Sequence, residues 1–89
     1  MHNEIFAEVD LPTGIKATIF EGYGRHFFKA LQLAKGDSSL MIKYLMMQLI
    51  QIDGKDLSEN DLDNMHLRDI SYAFEVMSTM LSNDFPKGI

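Results

Sequence analysis

The stretch EIFAEVDLPTGIKATIF, residues 4–20, decides the fold class. Its first half alternates. Ile5, Ala7, Val9 and Leu11 point one way, and Glu4, Phe6, Glu8 and Asp10 point the other. A period of two is that of a strand with one face buried. Leu11-Pro12-Thr13-Gly14 then reads as a turn: proline presets φ at the second position and glycine suits the fourth. Residues 15–20 alternate again, with Ile15, Ala17 and Ile19 sharing a face. Two such runs around a turn predict a β-hairpin. A hairpin alone is marginal in water, so helices must cover one face.

Beyond residue 20 the period becomes helical. Gly22 and Gly24 precede a first helix over about residues 23–35. It places Tyr23, Phe27, Ala30, Leu31 and Ala34 on one face and Arg25, Lys29 and Gln32 on the other. Gly36 ends it, and Asp37 or Ser38 caps the next. The second helix, about residues 39–52, is apolar nearly all round. Ile42, Leu45, Met46, Leu49 and Ile52 make a core stripe, and Leu40, Tyr44, Met47 and Ile50 make a second. Such a helix is either central or offers a surface to a partner. Asp53-Gly54 breaks it. Ser58 and Asp61 form a capping box for a short third helix over about residues 59–64. A fourth, about residues 67–81, turns Leu67, Ile70, Phe74, Met77 and Leu81 inward, with Ala73, Val76 and Met80 widening the stripe. The expected fold is α+β: an N-terminal two-stranded antiparallel β-hairpin followed by three to four α-helices. It is one domain over residues 1–89, ordered from about 3 to 82, with a flexible tail at 83–89.

Composition narrows the function. The chain has 89 residues, is 46% hydrophobic and 24% charged, and has no cysteine. Disulfides, thiolate zinc sites and redox pairs are therefore excluded. A chain of this mass buries roughly two thirds of its extended surface, which suits one small core. A net charge of −5 disfavours nucleic acid as the main partner. No basic segment precedes an apolar run at the N-terminus, and no stretch reaches the ~20 apolar residues that span a membrane. A soluble cytoplasmic protein is expected, with no cofactor and no metal.

Several motifs have plain readings. Leu11-Pro12-Thr13-Gly14 lacks the residue that a sortase signal carries between proline and threonine. Placing Gly54 sixth in an EF-hand loop puts Leu49 first and Asn60 twelfth, and neither can serve there. His2, His26 and His66 lie far apart, with no helical pair spacing for zinc. Asp37-Ser38-Ser39-Leu40 has the look of the phosphopantetheine site of acyl carrier proteins, with Ser38 or Ser39 as the modified residue. The extra serine, Lys43 on the following helix and the hairpin all depart from that pattern. Gly14, Gly36, Asp53, Gly54, Ser58 and Asp61 read as turn and cap residues. Of the seven methionines, most suit core filling, and Met47 beside Leu40 and Tyr44 suits a partner surface.

Short motifs follow one another over about residues 5–81. They are Leu11-Pro12-Thr13-Gly14, Ala34-Lys35-Gly36-Asp37, Ile50-Gln51-Ile52-Asp53-Gly54-Lys55, Leu57-Ser58-Glu59-Asn60-Asp61-Leu62 and Leu67-Arg68-Asp69. In this order the chain resembles the small tail-assembly chaperones of long-tailed, Mu-like bacteriophages. The resemblance implies a non-enzymatic role, in which the protein binds and shields the helical tape-measure protein before the tail tube polymerises. It also implies the host bacterial cytoplasm and, in many members, a longer product made by ribosomal frameshifting. The surplus apolar surface expected on the second helix, at Leu40, Tyr44, Met47 and Ile50, suits a helical client and self-association. A carrier protein modified on Ser38 or Ser39, and a generic protein-interaction module, are the other readings.

Overall fold

The computed structural model describes residues 4–82. His2 and the expected tail at 83–89 lie outside them. The order of elements is β1 (Ile5–Asp10), β2 (Lys16–Phe20), α1 (Gly24–Ala34), α2 (Ser38–Leu49), β3 (Ile50–Ile52), β4 (Lys55–Asp56), α3 (Glu59–Asn64) and α4 (Leu67–Ser82). The expected hairpin and four helices are present, and a second strand pair joins them.

The four strands form one antiparallel sheet in the order β1-β2-β3-β4. Its register sorts the side chains into rows. Val9, Ala17 and Ile52 are cross-strand neighbours, as are Ala7, Ile19 and Ile50. These apolar rows belong to the face that the helices cover. Glu8, Thr18, Gln51 and Asp56 line up across all four strands on the other face. There the Gln51 side-chain amide donates to Asp56 at 2.9 Å. The turn Leu11–Gly14 closes as expected, with the Gly14 N–H donating to the Leu11 carbonyl at 2.7 Å.

Three expectations change. The first is phase. A bulge between Ile5 and Ala7 shifts β1, so Ile5 is exposed and Phe6 packs on the core. An extra residue in one strand reverses the side-chain order beyond it.

The second concerns the end of α2, expected at Ile52 and found at Leu49. Ile50 and Ile52 instead pair with Ile19 and Ala17 of β2. Without β3, one edge of β2 would have unpaired backbone groups against the core. Asp53 and Gly54 turn the chain with φ of 50° and 78°. That left-handed pair at a two-residue hairpin loop is what Asp-Gly favours. The third change follows from this. Ile50, expected on an outer helix face, is 1% exposed in β3.

One apolar cluster joins sheet and helices, with Ile19, Leu45, Leu49, Ile50, Ala73 and Met77 among its buried members. α2 runs through its middle. Tyr44 and Met47 pack against it while partly buried. Of the two fates open to an all-round apolar helix, the central one applies.

Polar ties fix the helices around α2. The Gln48 amide donates to the His26 carbonyl of α1 at 2.9 Å. The Lys43 ammonium sits between Glu59 (3.3 Å) and Asp63 (2.7 Å) of α3. The Asp63 hydrogen bond holds that ammonium's pKa above the ordinary lysine value. Ser58 caps α3 as expected: its hydroxyl accepts from Asp61 N–H at 3.1 Å, and its own N–H donates to the Asp61 carboxylate at 2.9 Å.

The tip of the first hairpin is tied to α4 by Asp69, whose side chain is completely buried. Its carboxylate accepts from the Thr13 N–H at 3.0 Å and from the Thr13 hydroxyl at 2.5 Å. Asp69 therefore links the turn to the first turn of the last helix.

Candidate partner-binding surface

The surface begins with two alanines. Ala30 and Ala34, one helical turn apart, are the buried residues of α1. Small side chains at the contact let α1 approach α2 closely. The larger apolar residues of α1 then remain at the rim. Phe27, Phe28, Leu31 and Leu33 are exposed, Phe28 to 66%, and so is Tyr23 just before the helix. Among the described residues, ten large apolar side chains are exposed, and these are half of them. Phe27, Phe28 and Leu31 are neighbours at helical i+3 and i+4 spacing. The rings of Phe27 and Phe28 meet edge to face, 5.5 Å between centroids. The Arg25 guanidinium lies 4.8 Å above the Tyr23 ring, a cation–π arrangement.

α4 contributes a second line. Leu67, Phe74 and Leu81 were expected inward and are instead exposed, Leu67 to 79%. Ala73 and Met77 occupy the core, with Ile70, Val76 and Met80 partly buried beside them. The inward stripe is therefore the Ile70, Ala73, Val76, Met77 and Met80 side of the expected one, without its Leu67, Phe74 and Leu81 edge. Residues seven apart lie close to one line along a helix. This line runs about 21 Å at 1.5 Å per residue.

The two faces meet. A groove of about 220 Å³ lies between the start of α1 and the end of α4, lined in part by Tyr23, Phe27, Met77, Met80 and Leu81. Leu81 and Phe27 thus border the same depression. Met77 and Met80 in its lining adapt to varied apolar shapes. Gly22 also lines the groove, and a Cβ there would come within 3.1 Å of Leu49 Cδ1. The backbone approaches the groove closely because this residue has no side chain.

The expected partner residues sit elsewhere. Leu40 is half-buried, Tyr44 and Met47 pack on the core, and Ile50 is inside the sheet. The structure does not gather these four into one open patch. The Ser39 hydroxyl donates to Asp37 at 2.6 Å, and the Ser39 N–H donates to the same carboxylate oxygen at 3.0 Å. Asp37-Ser38-Ser39 is a helix cap, and the Asp37 carboxyl is held below the usual range by the Ser39 hydroxyl first. The four-stranded sheet departs from the all-helical frame of acyl carriers. The His26 ring accepts the Tyr23 N–H through Nδ1 at 2.9 Å, closing the start of α1.

Sequence reasoning passed over Phe28, Leu33 and the outward position of Leu67, Phe74 and Leu81. Two signals point to them: alanine at the centre of the α1 face, and the seven-residue spacing on α4. It also passed over the Asp69–Thr13 tie, which joins residues 56 positions apart.

Among the described residues, no group of three or more histidine, cysteine or acidic side chains is placed to hold a metal. No helix among them is long and apolar enough to cross a membrane. What this surface offers chemically is exposed apolar area beside a shaped groove. No family model, curated protein or solved structure matches the chain.

Proposed function

We propose that this protein is a non-enzymatic chaperone that seats an apolar helical segment of another protein on α1 and the groove beside α4. The observation that carries this is the exposed run Tyr23, Phe27, Phe28 and Leu31, continuous at Phe27 with a groove lined in part by Met77 and Met80. Contiguous apolar surface of this kind, left open on so small a domain, is characteristic of interaction sites. An amphipathic helix laid into such a groove is a recurrent recognition mode.

The resemblance to tail-assembly chaperones gives the client class: a long, helical tape-measure protein in a host bacterial cytoplasm. A long client presents its apolar stripe many times over. Many copies bound side by side, with contacts among themselves, would gain avidity from modest single-site affinity. The outer line of α4 is the natural surface for those contacts between copies.

The test uses a tape-measure segment that aggregates when expressed alone. Light scattering follows it with and without the protein. Near-stoichiometric protein should keep it in solution, and Phe28→Asp should lose that protection while unfolding as cooperatively as the native chain. A segment that aggregates equally fast in both conditions would remove the chaperone reading.

A further inference from the structure

The charge on the α1 segment is of one sign, with Glu21 and Asp37 just beyond its two ends. Residues 22–36 carry Arg25, Lys29 and Lys35, three of the chain's 8 basic side chains, and none of its 13 acidic ones. All three cations are exposed. At 100° per residue, Arg25 and Lys29 share the flank of α1 that borders Phe28. On α4 the Asp69 carboxylate faces inward to Thr13, which leaves Glu75 as the acid on its exposed side. So an acidic protein presents its main exposed apolar helix beside a cationic flank.

We infer that the occupant of this face is an amphipathic helix whose apolar stripe is flanked by acidic residues. The inference rests on the reading of α1 as a helix-binding face and adds the charge of the partner. A second copy of this chain fits less well. Antiparallel two-fold pairing of α1 on α1 sets each flank against its own copy, so Arg25 and Lys29 would face cations. A helix with Glu or Asp at its flanks meets these cations favourably. Complementary charge also orients the encounter and rejects basic stripes of equal apolarity.

The probes are two synthetic helical peptides with the same leucine stripe at i, i+3, i+4 and i+7. One has Glu at every flanking position and the other Lys. Fluorescence anisotropy measures both against the native chain at low and raised salt. The Glu peptide should bind about tenfold more tightly at low salt, the sum of a few exposed ion pairs, and raised salt should erase most of that preference. Arg25→Glu with Lys29→Glu should reverse the preference. Both positions are exposed, and circular dichroism checks that the double variant folds. If it does not, the salt dependence of the native chain decides.

Equal affinity for both peptides would overturn the charge inference and leave helix binding intact. Tighter binding of the Lys peptide would do the same. Binding of neither would remove the helix-binding reading as well. Two control measurements run alongside. A concentration-dependent dimer through α1, or flotation with anionic vesicles without peptide binding, assigns the face to another occupant and overturns the inference.

Discussion

Replacing Asp69 with alanine would cut the tie between the first hairpin and the last helix. The side chain is 0% exposed and accepts two hydrogen bonds from Thr13. A hydrogen bond to a charged group contributes about 1.5–3 kcal/mol. Thr13 is itself exposed, so its freed donors regain water and part of that is recovered. The expected net loss is about 2–4 kcal/mol. A domain of this size has about 5–10 kcal/mol in total, so the midpoint of thermal unfolding should fall by about 10–25 °C.

Asp69→Asn should cost less, about 1–2 kcal/mol. Its carbonyl can still accept the Thr13 N–H, while its amide donates to the Thr13 hydroxyl, which turns to accept. Urea unfolding of Asp69→Ala, Thr13→Ala and the double variant gives the coupling directly, expected at about 1–2 kcal/mol. A loss below about 0.5 kcal/mol for Asp69→Ala, or no coupling with Thr13, would refute the claim that this carboxylate anchors α4.

Other outcomes follow from single features. Gly54→Ala places a Cβ at a φ of 78° in open space, so its cost is backbone strain alone, about 1–2 kcal/mol by urea unfolding. The Asp61 carboxyl is held below the usual range, chiefly by the Ser58 N–H, and Asp37 by the Ser39 hydroxyl. A depressed folded pKa stabilises the fold above the unfolded value of about 3.9 and ceases to do so as pH falls through the folded value. Ser39→Ala should therefore flatten the loss of stability below about pH 4, read by denaturation at stepped pH. Lys43 has the opposite sign. Its raised pKa stabilises below the unfolded value of about 10.4 and is lost as pH rises through the folded one, so Lys43→Met should flatten the alkaline limb.

The parts legible from sequence were those set by local chemistry. Alternation from Glu4 to Phe20 and the Leu11–Gly14 turn predicted the first hairpin. Ser58 with Asp61 marked the start of α3, and Gly36 the end of α1. β3 was hidden because Ile50-Gln51-Ile52 continues a helical apolar pattern as well as a strand pattern, and pairing with β2 decided between them. Asp53-Gly54 carried a hairpin signal, but the three-residue β3 before it lay inside an apparent helix. The burial of Tyr44, Met47 and Ile50 was hidden for a related reason. Hydrophobicity marks which residues avoid water, not which helix others will enclose. α2 is apolar nearly all round and buries Leu45, Met46 and Leu49, whereas α1 touches the core through Ala30 and Ala34. The Asp69–Thr13 tie joins distant positions, and no local pattern announces it.

The central claim is that α1 and its groove, and not the outer side of α2, receive a helical partner. Titrating the isotopically labelled chain with an amphipathic helical peptide and following its amide and methyl resonances tests this most directly. The account predicts shifts concentrated at Phe27, Phe28 and Leu31 and at the groove residues Met80 and Leu81, with Tyr44 and Met47 little changed. Shifts centred on Leu40, Tyr44 and Met47, or none at saturating peptide, would contradict it.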